Sequence, residues 1–163
     1  MKPAHLPRFG RARIETLESG LYQPSENGAW AIILGVSDCF GEIEDSVAWY
    51  PNDPSHWWLR CGSEETVLGA AALIFCSDCH EPIKLLSTPD EWLIAHTGYL
   101  RDPSLLIYPI ACILDWGTTL EPLFHGIPRV DCNNPELQGR LLRSFREWEP
   151  QIYTTEQGIR SAA

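Results

Sequence analysis

Ser104 to Trp116 reads SLLIYPIACILDW, a nearly unbroken apolar stretch of thirteen residues. It is too short to cross a bilayer, which takes roughly 20 residues, so protein must bury it. The run reads as central strand structure interrupted at Pro109, because proline cannot donate to a strand ladder. A strand of that kind needs a core around it. The chain has 163 residues, 44% of them hydrophobic, and a chain of this length buries roughly 70% of its unfolded surface without staples.

Around that strand the local signals are mixed. Residues 1–12, with Pro3, Pro7 and Gly10, read as a loose basic arm, and Ile14 to Tyr22 as a strand or a short helix. Asn27-Gly28 is a hairpin turn signal. It leads into a buried strand over Trp30 to Val36. A second strand over Ile43 to Tyr50 puts Ile43, Asp45, Val47 and Trp49 on one face, so Asp45 needs a partner or a solvated edge. Trp57 to Cys61 resumes a short strand after Pro51 and Pro54.

Ser63 with Glu64 and Glu65 resembles a helix opening, and that helix is expected to run through TVLGAAALIFC with Gly69 as its weak point. Ile83 to Leu86 is a brief strand. The cleanest local signal is STPDEWLIAH, where Thr88 caps, Pro89 takes the first helical position and Glu91 completes a capping box. Gly98 is expected to end that helix. Asn134-Pro135 opens the last helix, with Leu137, Leu141, Phe145 and Trp148 as a core stripe and Arg140, Arg143 and Arg146 outside. The expected fold is α+β: one domain over residues 13–150, a mostly antiparallel sheet with two or three helices on it, and a tail over 151–163.

Charge narrows the function. The net charge is −10, distributed as +4 over residues 1–13, −14 over residues 14–128 and zero over residues 129–163. A body of that sign repels phosphates, which argues against direct duplex DNA binding by the main body. The opening MKPAHLPRFGRARIETLESG has no apolar core of a signal peptide, so the expected setting is cytoplasmic. There, six cysteines read as free thiols or ligands rather than disulfides. Seven tryptophans, three of them at Trp49, Trp57 and Trp58, read chiefly as core packing.

Cys76-Ser77-Asp78-Cys79-His80 spells the C-x-x-C-H of covalent haem attachment. Haem is disfavoured: there is no export signal, and Met1 is the only methionine available as a distal ligand. Zinc fits the chemistry better, since Cys76 and Cys79 offer a bite and His80 a nitrogen, but a structural site needs a second pair. Cys61, His56, His125 and Cys132 are the candidates for it. A redox dithiol would want a helix starting after the first cysteine, where His80-Glu81-Pro82 interrupts one. The sequence therefore requires no cofactor, with zinc through Cys76, Cys79 and His80 as the alternative. For an enzyme, the candidate is a metal-assisted hydrolase around Asp115 with His125 or Glu121, although Asp115 also suits a turn cap at Gly117. No Walker loop, G-x-G-x-x-G or G-x-S-x-G occurs.

One pattern spans roughly residues 29–117: an acidic-aromatic strand with Asp45 and Trp49, an Asp53-Pro54 turn, and Trp57-Trp58-Leu59-Arg60 with Gly62. It continues through Leu68-Gly69, Pro82, Thr88-Pro89 with Trp92-Leu93, and Leu114-Asp115-Trp116. The pattern resembles a group of uncharacterised proteins from bacterial plasmids, integrative elements and prophages. That resemblance implies a mobile-element setting and carries over no catalytic residue. Trp57, Trp58 and Arg60 are its binding candidates, Arg60 because it can stack on an aromatic face and fork onto a carboxylate such as Asp45 or Asp115. The resulting expectation is a small acidic accessory protein that binds a protein partner, with inhibition of a host nucleic-acid enzyme or defence complex as its extension, and no membrane association.

Overall fold

The computed structural model describes residues 8–62, 66–101, 109–117, 120–144 and 151–154. They fall into two compact units, Met1–Thr66 and Val67–Ala163. Among them no helix is long and apolar enough to cross a membrane.

The first unit is a five-stranded antiparallel sheet. Its strands are β1 (Phe9–Thr16), β2 (Tyr22–Pro24), β3 (Ala29–Ser37), β4 (Ile43–Trp49) and β5 (Trp58–Leu59), in the order β2-β1-β3-β4-β5. Leu21, just before β2, bridges Leu59 of β5, so the two edges meet and the sheet curls on itself. Tyr22, Ile14, Ala31 and Ala48 fill its interior, with Trp58 and Tyr50 packed edge to face at 5.6 Å. Asp45 finds the partners its burial demands: its Oδ1 accepts from the amides of Ser46 at 2.7 Å and Cys61 at 2.9 Å. Val47 and Trp49 beside it are fully buried.

Two expectations change here. β1 begins at Phe9, inside the stretch read as a loose arm, because Phe9 to Ile14 pair with Leu34 to Ala29. Asn27-Gly28 does make a turn, with the Gly28 amide bonded to the Ser25 carbonyl at 3.0 Å. However, β2 and β3 are not hairpin partners, since β1 lies between them. Gly28 is required by close approach instead: a Cβ there would sit 2.0 Å from the Ile14 carbonyl oxygen.

The second unit contains β6 (Val67–Leu68), α1 (Ala70–Cys79), β7 (Ile83–Leu86), α2 (Pro89–Arg101), β8 (Ile110–Ile113), a 3₁₀ turn (Glu121–Phe124), β9 (Arg129–Cys132), α3 (Pro135–Ser144) and β10 (Gln151–Thr154). The sheet order is β10-β9-β7-β8-β6; β7, β8, β9 and β10 run parallel and β6 antiparallel to β8. The α+β class holds, with three helices among the described residues. The parallel sheet is the part that sequence did not anticipate, because strand order is set by contacts far apart in the chain. β10 also gives strand structure to the stretch read as a tail.

One face of this sheet carries the apolar core, including Ile83, Leu85, Ala111, Ile113, Val130 and Cys132, against Leu73 of α1 and Leu137 and Leu141 of α3. The Leu137 and Leu141 stripe is core as expected; Phe145, Trp148 and Arg146 lie outside the described residues. α1 starts at Ala70 rather than at Ser63, which is itself outside the described residues. Gly69 has φ +87°, so the chain leaves the β6 ladder at that residue before it turns helical. α2 runs past Gly98 to Arg101, since nothing at Gly98 demands a left-handed residue.

Candidate functional site

In an open α/β sheet, ligands meet the crevice beyond the carboxyl ends of strands whose connections diverge. Here β7 continues through α2 towards β8 on one side, and β9 through α3 towards β10 on the other, while β7 and β9 are neighbours. The residues that follow these strand ends include Ser87, Thr88, Glu91, Asn133 and Asn134.

Each of these side chains is held by local structure. Thr88 caps α2, its Oγ1 accepting from the Glu91 amide at 3.1 Å. The Glu91 carboxylate reaches back to the Ser87 amide at 3.4 Å, one residue further upstream than a standard capping box. Asn134 caps α3 by accepting the Leu137 amide at 2.8 Å. The caps then join. Ser87 Oγ donates to Asn133 Oδ1 at 2.7 Å, Asn133 Nδ2 donates to Glu91 Oε2, and Asn134 Nδ2 donates to both Ser87 Oγ and Asn133 Oδ1, the latter at 3.2 Å. One carboxylate, two amides and one hydroxyl thus form a connected network that fastens the end of β7 to the end of β9.

Below it lies a charged row. Lys84 of β7 stands opposite Asp131 of β9, which stands opposite Tyr153 of β10. Lys84 and Asp131 are 1% and 3% exposed. Burial pulls the Lys84 ammonium below the ordinary lysine range, and the Asp131 carboxylate pushes it back up. Arg129 closes the row, its Nε donating to Asp131 Oδ1 at 3.0 Å and Nη2 lying 2.9 Å from the same oxygen. The Arg129 guanidinium also stacks 3.9 Å from the Tyr153 ring centroid.

The residues singled out from sequence are placed elsewhere. Cys76 is fully buried in the core, its Sγ 3.5 Å from the Pro82 carbonyl, and burial pushes its thiol up to about 11. Cys79 is exposed, and His80 Nδ1 lies 2.9 Å from the Gly126 carbonyl. Zinc needs deprotonated thiolates converging on one point. Cys76 is buried while Cys79 and His80 are exposed, and among the described residues no three His, Cys, Asp or Glu side chains form a metal-holding group. Asp115 accepts the Gly117 amide at 2.8 Å as a turn cap, and His125 and Glu121 are exposed. Trp58 belongs to the interior of the first unit, Trp57 is half-buried, and exposed Arg60 donates to the Tyr22 carbonyl at 3.3 Å.

Thiol chemistry separates these placements. Burial also raises Cys132, to about 12, and raises Cys112 further. Alkylation of the native protein at pH 8 is therefore expected to modify Cys39, Cys61 and Cys79 and to spare Cys76, Cys112 and Cys132 until the chain unfolds. Protection of Cys79 together with Cys76, lifted by a chelator, would instead return zinc to this pair.

Reasoning from sequence missed Lys84, Ser87 and Asn133. The signal for Lys84 was present: it is the one charge inside the apolar strand Ile83 to Leu86. For Asn133 and Ser87, which meet across 46 residues, there was none.

This arrangement of strands and helices has a known counterpart. The fold is similar to that of a bacterial DNA primase domain. The crystal structure of such a domain from Pseudomonas aeruginosa superposes with a TM-score of 0.51 at 12% identity, over 83% of this chain and 48% of that one. The chain therefore spans about half the length of that structure. A primase structure from Aquifex aeolicus, containing zinc-binding and RNA polymerase domains, gives a TM-score of 0.47 at 12% identity over 87% of this chain and 37% of that one, too low to add to the fold assignment. No family model and no curated protein matches the sequence.

Proposed function

We propose that this chain works by binding, as an acidic accessory protein of a phage or mobile genetic element that engages a protein of host nucleic-acid synthesis or defence. The observation that carries the reading is the condition of the strand-end crevice. The Glu91 carboxylate at these strand ends is engaged by the Ser87 amide and the Asn133 side chain. Together with Asn134, these groups tie the end of β7 to the end of β9. Catalytic nucleotide chemistry at such a crevice calls for carboxylates clustered to hold divalent ions.

Charge supports the same reading. A body of net charge −14 over residues 14–128 presents carboxylates to a surface built for nucleic acid, which favours fast association with a basic protein groove. The likeness of its fold to that of a DNA primase domain favours a search for the partner among replication proteins. The test has two arms. In-cell cross-linking and mass spectrometry should identify a nucleic-acid enzyme, and the purified chain should inhibit that enzyme at stoichiometric ratio. A partner whose activity is indifferent to the chain would overturn the proposal, as would nucleotide polymerisation by the chain alone with magnesium or manganese.

A further inference from the structure

We infer that the exposed end of the β1 and β3 face that carries Trp30, between Arg11 and Arg13, is a stacking surface for single-stranded nucleic acid; further along β3 the same face is buried at Leu34 and Val36. Strand alternation puts Phe9, Arg11 and Arg13 on one face of β1, and register puts Trp30 directly opposite Arg13. The guanidinium carbons of Arg11 and Arg13 lie 5.7 and 5.1 Å from the Trp30 ring centroid. Trp30 is 51% exposed and Phe9 56%, in a protein that buries Trp49 completely. An indole left in water between two cations on a regular strand is not filling an interior.

The geometry selects the occupant. β3 pairs with Phe9 to Ile14 of β1 and β2 with Ile14 to Thr16, so a partner lying on the face around Trp30 meets side chains rather than backbone. Those side chains alternate flat aromatic faces with guanidinium groups, and a single strand alternates bases with phosphates; stacking plus charge is the established means of holding one without sequence preference. An acidic peptide would use the arginines and leave both rings idle. A duplex hides its base faces and brings more phosphate towards the acidic remainder of the chain. The acid on this face of β1, Glu15, is already engaged by the Gln23 side-chain amide. Arg8, exposed at the strand's start, extends the positive edge.

Fluorescence anisotropy with labelled oligo-dT and oligo-rU of about 15 nucleotides, near 50 mM salt, tests this on the full chain. Saturable binding should weaken roughly 5- to 100-fold in Trp30→Ala, as expected for loss of one stacked base, and much less in Trp30→Phe. The Arg11→Ala/Arg13→Ala double variant should lower the slope of log affinity against log salt by roughly 1.4, for two phosphate contacts. All three variants change exposed side chains, and unchanged circular dichroism and melting would verify folding. No saturation, equal binding by Trp30→Ala, or tighter binding of duplex DNA or polyglutamate would each overturn the inference. A chain that captures and inhibits its protein partner yet ignores both oligonucleotides would remove this surface and leave the proposed function standing.

Discussion

Replacing Gly69 with alanine is expected to lower the melting temperature by roughly 4–20 °C, the larger of two glycine effects that can be separated. Gly69 joins β6 to α1 at φ +87°, a region that costs an L-residue roughly 1–2 kcal/mol. The added Cβ would also stand 2.4 Å from the Ile110 carbonyl oxygen and 3.2 Å from Ala111 Cα, both on β8. Those atoms are backbone in the sheet, so they cannot swing aside, and overpacking of this kind adds roughly 1–3 kcal/mol. At the usual slope of about 2–4 °C per kcal/mol for a chain of this size, the two costs give the stated range.

Two companion variants divide the effect. Gly20 has φ +85° with nothing near a Cβ, so Gly20→Ala should show the dihedral cost alone. Gly98, inside α2 with open space around it, should respond in the opposite sense, Gly98→Ala stabilising by roughly 0.5–1 kcal/mol. Thermal unfolding followed by circular dichroism reads all three. Gly69→Ala melting no lower than Gly20→Ala would refute the close approach of this residue to β8.

These glycines also mark where sequence stopped being readable. The caps at Thr88 and Asn134 were legible because a cap is a local bargain between a side chain and amides two or three residues away. Gly69 looked like a weak point inside a helix that began at Ser63, whereas its dihedral and its contact with Ile110 end a strand. That contact spans 41 residues of chain, so no local pattern encodes it. The curl of the first sheet is similar, closing through Leu21 and Leu59, and no local pattern announced it. The tryptophans split in an instructive way. Trp49 follows the rule that large aromatics go inside; Trp30 breaks it, and the arginines at positions 11 and 13 that explain the exception lie on another strand. In the strand-end crevice, Glu91 was visible as a capping residue, but its second role depends on Asn133, which only the parallel pairing of β7 with β9 brings near.

The same pairing sets up the other large effect, at Asp131. Asp131→Asn keeps the shape and removes the charge, leaving the buried Lys84 ammonium without its cross-strand carboxylate. Breaking one partner out of a buried ionic group typically destabilises by roughly 3–5 kcal/mol, because the remaining ion keeps its desolvation cost. Lys84→Met should cost less, since Asp131 retains Arg129, whose side chain is 45% exposed and remains partly hydrated. In the double variant the losses should fall short of their sum, the mark of a direct interaction. pH gives an independent readout. Burial depresses Lys84, so between its folded pKa and the ordinary lysine value near 10.4 the unfolded chain carries a proton that the folded chain lacks. Stability contributed by this group therefore rises with pH across that window. Without Asp131 to oppose the depression, the window opens at lower pH in Asp131→Asn. Its deficit relative to the unaltered protein should be widest at neutral pH and narrow as the solution becomes alkaline. Urea unfolding at several values between neutral and alkaline pH measures this directly. A deficit that stays constant over that range would mean that Asp131 acts through Arg129 alone and that the cross-strand charge contributes nothing.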